Sequence, residues 1–358
     1  MFTDLFSKIL NRNLSKRKID FAFLIHPRYT ADIFKKYKFL KLFPNFIIEF
    51  ILLYFWPTYG GTIKGLSRDG KNIWGALIIV PLTSKQMLSK RDLAKKKVAS
   101  AVNLAKIYGA EIVGLGALTS AVTGGGEDIK HLVHPVHLTS GNSLTAYTTY
   151  DDVRAIIEKQ GIAGPIAIVG VTGSIGRAVA VLLSESVENE LIIIGKNEER
   201  THAIKDQILN SDTATKTKKI VSSTNIKDIQ SAEIIIVTTS ATGAVITDEL
   251  VSSAKVIYDV TQPKNTPDHI QKSNTLTFID GGLIKLPEYI TITLDIGLPK
   301  GISFSCLSET MLISASERHD LVSKSLLETS NIRKIGEIAK KHNFVSHLIY
   351  GRDTEHTI

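Results

Sequence analysis

The stretch "AIVGVTGSIGRAVAVLL", residues 167–183, limits what this chain can fold into more than any other. An apolar run leads into Gly170, Gly173 and Gly176 at even spacing, and a helical apolar pattern follows. Glycines in that place let the backbone turn tightly and approach a pyrophosphate closely. The helix that follows supplies N–H donors and the positive end of its dipole. The stretch therefore predicts strand, loop and helix of a dinucleotide-binding unit, with Gly170, Thr172, Gly173, Ser174, Ile175 and Gly176 as the binding loop. A second strand at the right distance ends in "LIIIGKNEER", residues 191–200. Gly195, Lys196 and Asn197 stand there, where an NAD-preferring domain usually places a carboxylate for the ribose hydroxyls. With no carboxylate to repel a 2′-phosphate, and with Lys196 and Arg200 to neutralise one, the expected cofactor is NADPH. The competing reading is a solvated basic turn. Thr238 in "VTTSATG" and Gly281 and Gly282 in "IDGG" fall at carboxyl ends of predicted strands, where nicotinamide and substrate would meet.

Apolar runs alternate with helical patterns from about residue 73 onward, which implies parallel sheets with crossover helices. Most of the runs after residue 165 are apolar throughout, as strands covered on both faces require. "GIAGPIAIVG" reads as a break. The expected fold is α/β: a second α/β substrate domain at 1–163, a Rossmann NADP-binding domain at 164–300, and a helical tail at 301–358 packing back across the cleft. "HLVHPVH" is read on a strand, with His131 and His137 on one face. Pro135 spoils that geometry for a metal, and no metal site is expected. His26 and His319 carry no clear role in the pattern.

One cysteine in 358 residues excludes an internal disulfide and a cysteine-based zinc cluster and fits a reducing, cytoplasmic compartment. A formal net charge of +8 favours acidic partners without choosing among them. "MFTDLFSKIL" lacks the unbroken apolar core of a secretory signal; with the basic residues up to Lys18 it has the pattern of an interfacial amphipathic helix or of a docked terminal helix. "FLKLFPNFIIEFILLYFWP", residues 39–57, is interrupted by Pro44 and Glu49 and falls short of the about 20 apolar residues a span needs. It reads as a core helix in preference to a greasy surface that meets lipid or an acyl chain.

The cysteine lies in "SFSCLSETML" near a predicted helix start, with Ser303 or Ser305 placed to cap and Glu309 at capping-box distance. A thiol in a first helical turn is favoured as thiolate, and a buried one is an inert small hydrophobe. Spacing alone leaves both open. Four blocks in combination resemble the acyl-(acyl-carrier-protein) reductases and their wider group: "GLGALTS" (114–120), "LTSGNSLTAY" (138–147), "VGVTGSIGRAV" (169–179) and "CLSETMLI" from Cys306, with "IGEIAKKHNF" (335–344) beyond. The resemblance implies that Cys306 is the nucleophile toward a long-chain fatty acyl thioester and that NADPH reduces the acyl-enzyme to an aldehyde. It also gives the segment Phe46–Trp56 the task of sheltering an acyl chain or touching membrane, and the basic surface that of docking an acidic carrier protein; the expected partners are an acidic acyl carrier protein or a CoA thioester, with peripheral contact to an anionic membrane and no nucleic acid. The other readings are an NADP-dependent dehydrogenase of a small polar acid or amino acid, and a non-catalytic NADP-binding module at a membrane.

Overall fold

Short apolar runs become strands and amphipathic stretches become the helices that cover them, in a computed structural model that describes residues 18–36, 38–211, 214–241, 243–323 and 326–350. The N-terminal amphipathic pattern falls outside these residues, apart from Lys18. The chain divides into two compact units. The first comprises Met1–Gly141, Pro287–Gly297 and Glu309–Ser325, and the second Asn142–Leu286, Leu298–Ser308 and Leu326–Ile358.

The first unit runs β1 (Phe21–Ile25), α1 (Thr30–Lys36), α2 (Asn45–Tyr54), β2 (Thr58–Arg68), β3 (Lys71–Ile79), α3 (Ser84–Ser89), α4 (Arg91–Ile107), β4 (Ile112–Leu115), α5 (Leu118–Val122), α6 (Lys130–Val133) and β5 (His137–Thr139). Strand β1 pairs in parallel with both β3 and β4, in register Phe21↔Gly75 and Phe21↔Ile112. Helix α4 lays a stripe of small residues, Ala94, Val98, Ala101 and Ala105, into the core with Ala22, Leu24, Ile78 and Val113. Small side chains there let the helix sit close to the sheet, and the contact density of a packed core follows.

Two expectations fail in this unit. Residues 130–133 form α6, so His131 leaves the strand that His137 begins, and among the described residues no three His, Cys, Asp or Glu side chains are grouped to hold a metal. Helix α2 is not a core helix. It buries Ile48 and Leu52 but leaves Phe46 71%, Phe50 60% and Tyr54 68% exposed. Its carbonyls, together with buried Ile48 and Leu52, hold it down. Buried Gln86 donates from Nε2 to Glu49 O (2.6 Å), and buried Lys97 donates from Nζ to Leu52 O (2.9 Å) and to Phe55 O. The ammonium thus sits on the negative end of the helix. Burial pushes the Lys97 amine down to about 8.

The second unit runs α7 (Asn142–Gln160), β6 (Ile166–Val169), α8 (Ser174–Ser184), β7 (Leu191–Ile194), α9 (Glu198–Leu209), β8 (Ile220–Ser223), β9 (Ile234–Val237), β10 (Val256–Asp259), α10 (Asp268–Gln271), β11 (Thr277–Asp280) and β12 (Leu283–Lys285). After β13 (Thr291–Ile292), which belongs to the first unit, come β14 (Ile302–Phe304), α11 (Ser305–Ser316), α12 (Thr329–Lys341), β15 (Val345–Ser346) and β16 (Ile349–Tyr350). The main sheet has the order β16-β11-β10-β9-β6-β7-β8, parallel except for β16. Numbered from its first strand β6, that is the 3-2-1-4-5-6 order of a Rossmann domain, with β6, β7, β9 and β10 buried at every position. A small antiparallel sheet, β14-β12-β15, stands beside it. The C-terminal helices divide: residues 309–325 belong to the first unit, and α12 packs on α7 in the second, with Gly336 flat against the Tyr147 ring and Arg333 paired with Glu185 at 2.7 Å. In the first unit the sheet order is β13-β2-β3-β1-β4-β5. Both units are α/β, and among the described residues no helix is long and apolar enough to cross a membrane.

Lys97→Met strips the donor from two carbonyls at the end of α2. The expected result is a loss of about 1–3 kcal/mol in urea unfolding with an unchanged slope.

Candidate functional site

The parallel order of the second unit reverses between β6 and β9, and the chain ends that leave these two strands form the loop predicted from the glycine pattern. Gly170 holds φ +96, and a Cβ on it would meet Thr239 Cα at 2.8 Å. A Cβ on Gly176 would meet Gly170 O and Thr238 Oγ1, each at 2.6 Å. The two loops are stitched together as well, since the Thr238 N–H and hydroxyl both donate to Val169 O at 2.9 Å. Gly173 is the N-cap of α8 without a side-chain cap, and the first-turn N–H groups of Ser174, Ile175 and Gly176 have no acceptor among the described residues. Ser174 Oγ accepts from Asn142 Nδ2 (2.8 Å), exposed Thr172 abuts Gly195, and half-buried Ile175 leans on the core. A backbone cradle too tight for any side chain, closing on an uncapped helix end, fits a pyrophosphate.

Past β7, Lys196, Asn197 and Arg200 are exposed together. Asn197 has a structural duty that the sequence reading did not give it: its Oδ1 accepts from the Arg200 N–H (2.8 Å) and caps α9. Lys196 and Arg200 form no ion pair among the described residues, so two cations stand at the end of the second Rossmann strand, where a 2′-phosphate lies in such folds.

At the carboxyl ends of β10 and β11 the structure shows a network that sequence spacing did not reveal. The fully buried Asp259 carboxylate accepts from the N–H groups of Thr261, Asn265 and Thr266 and from the hydroxyls of Thr261 and Thr266, at 2.6–3.1 Å. Asn265 in turn donates to Ala241 O and Gly243 O at 2.9 and 2.8 Å, which fixes the loop after β9. One strand over, Gly281 lies against the ring of buried Tyr258. The Tyr258 hydroxyl accepts from the Gly282 N–H (3.0 Å) and donates to Asp152 on α7 (2.6 Å). Ser346 also donates to Asp152, at 2.5 Å. Only a DxT or an isolated YD in the sequence hinted at this network, and neither carries a spacing signal.

Gly282 links this network to the cysteine. Its carbonyl accepts from the Ser305 N–H (2.9 Å), and the Ser305 hydroxyl meets Thr148 Oγ1 at 3.1 Å. Strand β14 delivers Ser305 as the first residue of α11, and Cys306 is the second. From Ser305 to Ser314 every residue is buried except Cys306. Further along α11, in the first unit, Glu309 is fully buried and accepts hydroxyl bonds from Thr139 (2.5 Å) and Ser323 (2.7 Å). Thr139 belongs to the "LTSGNSLTAY" block, so that block helps hold Glu309 in place. At the carboxyl end of β1, burial pushes the His26 imidazole down to about 4 while its Nδ1 lies 3.1 Å from Pro27 O, so it is neutral at ordinary pH. The His137 and His319 rings lie against each other at a tilt of 31°, with centroids 4.5 Å apart.

Residues 158–280 match the family model of shikimate/quinate 5-dehydrogenases. The chain is 27% identical over 291 residues to the aminotransferase PigE of a Serratia species, a match covering 79% of this chain; the chain spans about a third (33%) of that relative's length. It is 25% identical over 320 residues to the long-chain acyl-[acyl-carrier-protein] reductase of Synechococcus elongatus, covering 82% of this chain and 89% of that one. Among solved structures it is similar to L-tryptophan dehydrogenase from Nostoc punctiforme, with TM-score 0.40, 12% identity and 92% and 84% of the two chains covered. The matched residues run from the end of α7 to β11 and so cover the Rossmann sheet of the second unit.

Burial pushes the Asp152 carboxyl up to about 6, against the hydrogen bonds from Ser346 and Tyr258 that lower it. Between the ordinary aspartate range and pH 6 the folded state therefore holds a proton that the unfolded chain has released. Stability from this group falls as pH rises through that window, by up to about 3 kcal/mol. Asp152→Asn lacks the slope. Paired thermal melts at pH 4 and pH 7 should show wild type losing stability relative to the variant as pH rises.

Proposed function

We propose that this chain reduces a long-chain fatty acyl thioester to the fatty aldehyde with NADPH, by way of an acyl group carried on Cys306. The observation that carries the reading is the exposure pattern of α11: in its buried opening stretch, from Ser305 to Ser314, Cys306 is the one residue that is only partly buried. Its backbone neighbour Ser305 is bonded to Gly282, at the carboxyl edge of the dinucleotide-binding sheet. The curated relative from Synechococcus elongatus, named for this reaction, supports the same reading.

In this proposal the positive end of α11 favours the thiolate, which attacks the thioester carbonyl carbon. The same helix end stabilises the oxyanion, which collapses with loss of the phosphopantetheine thiolate; that thiolate leaves with a proton from solvent. One thioester replaces another at nearly equal energy, so no nucleotide is hydrolysed. Bound NADPH supplies hydride to the acyl carbon. Cys306 then leaves as thiolate from the hemithioacetal, the aldehyde departs, and the thiol is ready again. Gly170, Gly173 and Gly176 would hold the pyrophosphate, Lys196 and Arg200 the 2′-phosphate, and Thr238, Gly281 and Gly282 would border the nicotinamide. The formal charge of +8 suits an acidic carrier protein as acyl donor, with a CoA thioester as the alternative donor.

A second reading is favoured by the match of residues 158–280 to shikimate/quinate 5-dehydrogenases, namely oxidation and reduction of a small polar acid with Cys306 as a bystander. Intact-protein mass separates the two. Wild type mixed with a long-chain acyl thioester should gain one acyl group, lose it as aldehyde when NADPH is added, and gain none as Cys306→Ala. An unmodified wild type that still binds NADPH would hand the site to the small-acid reading.

Lys196→Ala/Arg200→Ala should raise the Kd for NADPH by about 100-fold or more and leave that for NADH within about twofold, since each of the two charge-assisted bonds to phosphate contributes about 1.5–3 kcal/mol. Fluorescence titration of the reduced cofactors measures both.

A further inference from the structure

We propose that the outer face of α2 docks the protein on a bilayer that contains anionic lipid. Phe46, Phe50 and Tyr54 recur at four-residue intervals and project from the face opposite Ile48 and Leu52, and Ile51 broadens the same stripe. The Phe50 and Tyr54 rings touch, with centroids 5.1 Å apart. Leu42 and Phe43 before the helix and Phe55 after it are exposed as well. An apolar stripe normally turns to the core. Here a ten-residue helix turns it outward and is fastened from beneath through Glu49 O, Leu52 O and Phe55 O by Gln86 and Lys97. Fastening by backbone acceptors leaves the aromatic side chains for another surface.

The charges around the helix name that surface. The elements that supply the fasteners, α3 and α4, also present Lys85, Lys90, Arg91 and Lys96 to solvent, and Lys41 is exposed just ahead of α2. The acidic groups on these elements are few: exposed Asp92 and half-buried Glu49. A second copy of the chain would set these cations against their own kind. A lone acyl chain would need an enclosing groove, and Phe46 and Tyr54 are about two-thirds open. Aromatic side chains flanked by lysines suit the boundary between acyl chains and anionic headgroups. A helix about 15 Å long lying in that plane would bury its apolar face there, while the long lysine side chains reach the phosphates.

Flotation of the full chain with phosphatidylcholine vesicles, plain or containing about 30% phosphatidylglycerol, tests the proposal. Wild type should float with the anionic vesicles and release as salt rises. Phe46→Asp/Phe50→Asp should lower the bound fraction about tenfold or more, and Lys85→Glu/Lys90→Glu by a similar factor. Both variants alter exposed side chains only, so their circular dichroism melts and NADPH binding should match wild type. The proposal is overturned if wild type stays down with anionic vesicles or if the aromatic variant floats as well as wild type. It is equally overturned if light scattering finds a dimer that the aromatic variant dissolves, because a second copy would then be the occupant.

Discussion

The crossing of two loops at the carboxyl ends of β6 and β9 is the constraint from which the second unit is built. Gly176 comes so near Gly170 O and Thr238 Oγ1 that no Cβ fits between them. That closeness sets where α8 starts, and its uncapped N-terminus opens on the same spot. Strand order and loop chemistry therefore agree: the strand order turns back where the backbone is barest, and an anionic diphosphate would find N–H donors there in place of side chains. Thr238 adds two bonds to Val169 O and keeps the crossing from opening.

From that crossing the order of the sheet carries outward through buried polar groups. Asp259 gathers five donors and shapes the loop after β10, Asn265 passes the constraint to the loop after β9, and Tyr258 clamps Gly282 while holding Asp152. A buried carboxylate is tolerated because its acceptor sites are filled; left with fewer partners it would be costly. Through Gly282 O the same scaffold reaches Ser305 and so fixes the residue before Cys306. The thiol is thus positioned by a chain of backbone and hydroxyl contacts, each too unremarkable in sequence to stand out.

Helix α2 shows the opposite arrangement, a greasy element with its greasy side outward. Its attachment through carbonyl oxygens to Gln86 and Lys97 explains how it stays in place without burying Phe46, Phe50 or Tyr54. Lys97 accepts a lowered basicity in exchange for two carbonyl partners at a helix end.

The local code in the sequence was enough to define the Rossmann half. An apolar strand, glycines where only bare backbone fits, and a capped or uncapped helix start are all written within a few residues, so Gly170, Gly173 and Gly176 were legible at once. The same local signal set Lys196 and Arg200 at the end of β7, where the structure shows them exposed. Helical period likewise disclosed that α2 has an apolar stripe, yet period is symmetric about the helix axis and says nothing of which way the stripe faces. Only tertiary structure decided that, through two donors from α3 and α4 that lie 37 and 45 residues away from the carbonyls they hold. The same holds for Asp152 and Tyr258, 106 residues apart, whose bond exists because β10 and α7 are brought together by packing. Contacts across such separations are set by the burial of whole elements against one another, which no short stretch of sequence records.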